Sequence, residues 1–123
     1  QVLFLTTTSS IDSIRSGSVR PLAVTTSARL QMLPDIPTVE DFVPGYEASG
    51  FFGVGVPRNT PAEIVAKLNK EINAGLADPR MKGRLTALGG TILAGSPADF
   101  GRLIAEETEK WRKVIRFAGI KPS

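Results

Sequence analysis

The chain has 123 residues, enough for one domain with a core but short for two independent cores. Its 41% hydrophobic and 22% charged residues are ordinary globular composition, which excludes a disordered polymer, and no apolar run approaches the roughly 20 residues that span a bilayer. A net charge of +3, with fifteen basic and twelve acidic residues interspersed and no basic tract, gives no support for nucleic-acid binding. Cysteine and histidine are absent, which removes disulfides, thiol nucleophiles, imidazole acid–base chemistry and most zinc sites.

Residues 2–5 form a short continuous apolar run that predicts a buried strand. Five hydroxyl residues follow in succession, Thr6, Thr7, Thr8, Ser9 and Ser10. They suit the N-terminus of a short helix carrying Ile11, Ile14 and Arg15 and closed by Gly17. The same hydroxyls, with the free N–H groups of a first helical turn, also suit a carboxylate or phosphate ligand. Residues 19–24 predict a second strand, so strand, helix and strand make a compact βαβ unit with a parallel pair. Thr25, Thr26 and Ser27 fall at the carboxyl end of that second strand, the edge where open α/β sheets bind ligands.

Residues 28–45 carry Pro34, Pro37 and Pro44, which hold the backbone extended before each ring. Thr38, Val39, Glu40 and Asp41 predict one capped helical turn, and the acids Asp35, Glu40 and Asp41 are assigned turn and cap roles rather than catalysis. The run Gly50, Phe51, Phe52, Gly53, Val54, Gly55, Val56 predicts a strand stopped at Pro57. Thr60 then predicts an N-cap, with Pro61 at the first helical position and Glu63 completing a capping box.

Ile64, Val65, Leu68, Ile72 and Leu76 recur at helical spacing, with Lys67, Lys70 and Glu71 outside the stripe. Asp78 and Pro79 end that helix or begin the next, whose apolar residues are Met81, Leu85 and Leu88 before Gly89 and Gly90. Residues 91–94 predict a short strand. Ser96, Pro97 and Asp99 repeat the cap, proline and acid device ahead of a final helix. Its apolar side holds Phe100, Leu103, Ile104, Trp111, Val114, Ile115 and Ala118, with Trp111 in the core or anchoring an interface. No phosphate loop, nucleophile elbow or dinucleotide fingerprint is present, and nothing pairs a nucleophile with a base.

Several pieces, taken in order, resemble one family. They are Leu22, Ala23, Val24 and Thr25; Pro34, Asp35, Ile36, Pro37 and Thr38 with Glu40; Gly45, Tyr46 and Glu47; Phe52 and Gly53 followed by Pro57 and by Thr60 and Pro61; Leu76, Ala77, Asp78 and Pro79; Leu88 and Gly89; and residues 111–121. Together they are similar to the substrate-binding receptors of tripartite tricarboxylate transporters, the Bug or TctC-like proteins. The chain departs from the family pattern in two places: Leu5 and Thr6 stand just after the first strand where an acid or amide is frequent, and Asn59 stands where glycine is usual.

The resemblance implies an α/β fold, the C-terminal part of a type II periplasmic-binding-protein-like (Venus-flytrap) receptor: a short βαβ unit, a crossover strand, then helices with one short strand. It places residues 1–50 in the second lobe, 51–57 at the crossover, with Phe51, Phe52 and Gly53 at hinge and cleft, and 58–123 in the first lobe. The implied function is non-enzymatic and needs no cofactor or metal: binding a small carboxylate-bearing solute for membrane transporter subunits in the periplasm, a location inferred from the family because these residues carry no signal-peptide pattern. Thr6, Thr7, Thr8, Ser9, Thr25 and Thr26 are the expected ligand residues. The alternative is a ligand-free structural or interaction module that self-associates, a homo-oligomer covering the apolar faces a partial receptor exposes.

Overall fold

The computed structural model describes residues 2–121; Gln1, Pro122 and Ser123, at the outer ends of the two expected lobes, lie outside the described residues. Four helices form, α1 (Thr7–Arg15), α2 (Ala62–Ala77), α3 (Pro79–Ala87) and α4 (Pro97–Phe117). The chain divides into two compact units, one made of Gln1–Phe52 and Gly75–Leu93, the other of Gly53–Ala74 and Ala94–Ser123.

In the first unit the hydroxyl run is itself the first turn of α1, with Thr6 as N-cap, so the helix starts earlier than the apolar spacing alone indicates. Ile11 is the buried apolar residue of this helix, at 3% exposure. Gly17 takes φ +73° just beyond the C-cap, a conformation that glycine adopts without a Cβ penalty. Asp78 caps α3: its Oδ1 accepts from the Arg80 and Met81 N–H groups, both at 3.0 Å, and Pro79 fills the first helical position.

The predicted parallel pair of residues 2–5 with 19–24 does not form. Val24 instead makes an isolated parallel bridge with Thr38. The Val24 N–H donates to the Pro37 carbonyl at 2.9 Å, and the Val39 N–H donates to the Val24 carbonyl at 2.8 Å. Pro37 lacks a donor but keeps its acceptor, so the proline-rich segment can serve as the neighbour. The expected turn at Thr38 is present and reciprocal. Thr38 N–H donates to Asp41 Oδ2 and Asp41 N–H to Thr38 Oγ1, both at 3.1 Å, and the Arg29 guanidinium meets Asp41 Oδ2 at 3.4 Å.

In the second unit α4 opens with a full capping box: Ser96 Oγ accepts from Asp99 N–H at 3.1 Å, and Asp99 Oδ2 accepts from Ser96 N–H at 2.8 Å. Two asparagines on α2 fix the segment leading into that cap. Asn69 and Asn73 Nδ2 both donate to the Gly95 carbonyl, at 2.8 and 2.9 Å, while Gly95 N–H donates to Asn73 Oδ1 at 3.2 Å. The Asn73 amide thus pairs with a peptide group in both directions, as a neighbouring strand would. Trp111 Nε1 donates to Glu107 Oε2 at 2.9 Å, and Lys110 pairs with Glu107 at 2.6 Å while lying 5.6 Å from the indole centroid.

The capping box predicted at Thr60 is corrected. Thr60 Oγ1 donates backward to the Pro57 carbonyl at 2.8 Å, and α2 draws its first bonds from the Pro61 carbonyl. Asn59 takes φ +70°, the left-handed region where glycine is at home and asparagine is tolerated, which accounts for its place in the turn.

The strands expected over residues 2–5, 51–56 and 91–94 are likewise absent among the described residues, and residues 2–5, 52–56 and 91–94 join no backbone ladder there. Their side chains lie open: Phe4 is 80% exposed, Phe52 90% and Leu93 67%.

Gly89 sits at φ +80° just past α3, its N–H bonded to the Thr86 carbonyl and the Gly90 N–H to the Leu85 carbonyl, a Schellman ending. A Cβ there would collide with the Thr7 side chain and come within 2.9 Å of Met32 Sδ. Gly89→Ala is therefore expected to lower unfolding stability by about 1–3 kcal/mol through left-handed strain alone, read as the denaturant midpoint; an unchanged midpoint would show that this packing is not formed. In the second unit, the Ser96 hydroxyl and N–H, followed by Arg102, hold the Asp99 carboxyl below its usual range. A depressed folded-state pKa stabilises the fold above the ordinary aspartate value, and that contribution fades as pH falls through the lower folded value. The helical signal of the parent should accordingly exceed that of Asp99→Asn at neutral pH and converge with it once the pH falls below the lowered folded-state pKa of Asp99. A constant difference across the titration would contradict the cap.

Candidate ligand-binding site

The hydroxyl residues are organised around the start of α1. Thr6 Oγ1 lies 3.2 Å from Thr8 Oγ1 and 2.9 Å from Ser9 Oγ. Ser9 and Ser10 hydroxyls both donate to the Thr6 carbonyl, at 2.9 and 3.0 Å. No side chain caps the N–H groups of this turn, since Thr6 Oγ1 accepts none of them. Polarised N–H groups and rotatable hydroxyls thus share one helix end, with Thr6, Thr8 and Ser9 exposed and Thr7 half-buried with its methyl against Gly89. Such a surface can donate several hydrogen bonds to an anion and offers no base.

Thr25 and Thr26, both half-buried, follow directly on the bridged Val24. The Thr25 carbonyl accepts from the Ala48 N–H at 2.9 Å, and Thr26 Oγ1 donates to the Ala28 carbonyl at 2.7 Å. Both hydroxyl groups belong to the same unit as α1, but no hydrogen bond joins the two clusters among the described residues. Of the crossover residues, Phe52 closes the first unit and Gly53 begins the second, where its Cα packs against the end of the Phe100 ring.

Sequence reasoning named Ser10 and Thr38 but not the contacts by which they fix these positions, and it missed Arg29. Ser10 is 7% exposed and uses its hydroxyl inside the helix. Thr38, 5% exposed, is the partner of Val24. Arg29 reaches Asp41 twelve residues away and also donates to the Pro34 carbonyl at 3.4 Å, and no short-range spacing announces either bond. Serine at the fifth place of the hydroxyl run, four residues after Thr6, was the one available signal, since such residues bond back to the preceding turn when they lie inside a helix.

Residues 1–120 match the tripartite tricarboxylate transporter family receptor, TctC. Among solved structures, R. palustris Rpa4515 with adipate is 40% identical, with a TM-score of 0.88, covering 94% of this chain and 39% of that one. The periplasmic binding protein BugD is 32% identical, with a TM-score of 0.85, covering 93% of this chain and 39% of its own. A UPF0065 protein of Bordetella bronchiseptica is 37% identical over 88% of this chain, and BugT of Bordetella pertussis is 33% identical over 90%. The chain spans about a third of the length of these two relatives, 32% and 34% respectively. Its fold is therefore part of an α/β periplasmic-binding fold, rich in helix, and the resemblance read from the residues holds. The chain belongs to the tripartite tricarboxylate transporter receptor family, TctC, and corresponds to a portion of its longer members.

Proposed function

We propose that this chain forms part of the solute-binding component of a tripartite tricarboxylate-type transporter, acting in the periplasm on a small carboxylate-bearing solute. The likeness to an adipate-bound protein at a TM-score of 0.88 and 40% identity carries this reading. Thr6, Thr7, Thr8 and Ser9 at the α1 N-terminus, with Thr25 and Thr26, are the proposed donors to the carboxylate. The uncapped first turn and the mutually bonded hydroxyls support that role, because a carboxylate can replace both sets of contacts with charge-assisted ones. The proposed role is binding and delivery to membrane subunits, without catalysis. Residues 1–50 are assigned to the second lobe, 51–57 to the crossover and 58–123 to the first lobe.

A second reading, self-association without ligand, draws support from large apolar side chains left exposed, such as Phe52 at 90% and Phe117 at 95%. The two readings separate in one titration. At a hundred times its dissociation constant a ligand specific to the folded state adds about 2.7 kcal/mol, so adipate should raise the melting temperature of the parent. Thr25→Val and Thr6→Val should melt near the parent without ligand and respond less to adipate. If neither adipate nor citrate shifts the transition at any accessible concentration, this chain does not bind carboxylates.

A further inference from the structure

We propose that the last turn of α4, with the residues just beyond it, is a contact surface for a membrane carrying anionic phospholipids. Phe117 enters the headgroup layer, and Lys113, Arg116 and Lys121 meet the phosphates. The inference rests on the charge and exposure of α4 and is independent of the carboxylate reading.

Residues 110–121 hold five basic residues, Lys110, Arg112, Lys113, Arg116 and Lys121, and no acid. The other residues of the chain carry ten basic against twelve acidic, so the net positive charge comes wholly from this short segment. The five form no continuous run in sequence; the helix gathers them. Lys110 and Arg112 are partnered by Glu107 and Glu109 one turn back. Lys113, Arg116 and Lys121 are exposed and enter no ion pair among the described residues. On the helix surface Lys113 is the neighbour of both Arg116 and Phe117, three and four places on.

The dipole of α4 favours cations in its last turn, which accounts for Lys113 and Arg116. It gives no reason for an aromatic ring beside them that is 95% exposed. At ~100° per residue, Phe117 lies roughly 100° from the middle of the apolar stripe that runs from Phe100 to Ala118, and roughly 40° from Lys113. Trp111 and Val114 on that stripe are 40% and 44% exposed, so the ring stands apart from the partly covered face.

Charge and size select the occupant. Three unpaired cations around one ring attract an anionic surface, whereas a second copy would bring like charges together. Protein interface cores are depleted in lysine, and each partner of a standard interface buries about 800 Å², more than one ring and three side chains supply. A phospholipid surface demands neither a matched shape nor a large area. Lysine and arginine stems lie along the boundary with their charges at the headgroups, and an aromatic ring enters beside them.

The test is sedimentation of the full 123-residue chain with phosphatidylcholine vesicles, with and without phosphatidylglycerol. Binding is expected only where phosphatidylglycerol is present and should weaken as salt is raised. Lys113→Gln and Arg116→Gln should each lower the partition constant about fivefold, and Phe117→Ser about tenfold or more. All three positions are exposed, so the helical signal should stay that of the parent. Arg20→Gln removes an exposed charge from the first unit and should bind as the parent does. Equal binding to both vesicles, or to neither, overturns the proposal. So does parent-like binding by Phe117→Ser, or a loss with Arg20→Gln as large as with Lys113→Gln. A chain that ignores vesicles but forms a homodimer dissolved by Phe117→Ser, or binds soluble polyglutamate, overturns it in favour of a protein contact.

Discussion

An α-helix closes its hydrogen bonds within its own sequence, whereas a strand must borrow them from a neighbour, and the organisation of this chain follows from that difference. α2 and α4 run for sixteen and twenty-one residues because every N–H beyond the first turn finds a carbonyl four places back. Only their ends need outside help, and short-range chemistry provides it: Asp78 and Ser96 at N-caps, Gly17, Gly89 and Gly119 in left-handed positions beyond the C-caps. The apolar runs have no such recourse.

Where a run does find a neighbour, even a single bridge organises what surrounds it. Val24 is held by the Pro37 carbonyl on one side and the Val39 N–H on the other, and Thr38 between them is almost fully buried. The Asp41 and Thr38 turn and the Arg29 guanidinium fix that neighbour in turn. Thr25 and Thr26 inherit their position from this small network. It is the kind of support a binding residue on a loop requires, since a hydroxyl selects a ligand only when its backbone is held.

The first unit brings the candidate donors onto elements of different character. α1 presents a helix end whose polarised N–H groups have no side-chain cap, while the bridged segment presents hydroxyls fixed by backbone pairing. Helix ends attract anions through dipole and geometry, and Thr and Ser add donors without charge of their own. The proposed site offers an anion hydrogen-bond donors and no positive charge of its own.

Much of this was legible in the residues. The α4 capping box, the Asp78 cap, the amphipathic stripe of α2 and the glycine endings are all local patterns, and each appears where its spacing places it. The family was legible for a related reason: its signature consists of turns, caps and prolines, which depend on near neighbours in sequence. The pairing of Val24 with Thr38 rather than with residues 2–5, the backward bond of Thr60, and the grip of Asn69 and Asn73 on Gly95 were decided only in three dimensions. In the two longer-range cases the partner is chosen by where the chain returns, and no periodicity records that; at Thr60 the left-handed turn at Asn59 turns the hydroxyl back. The sequence by itself determined which segments become helices and which family they build. Tertiary structure alone decided which strand-forming segment is paired, because a ladder needs a second strand and a helix does not.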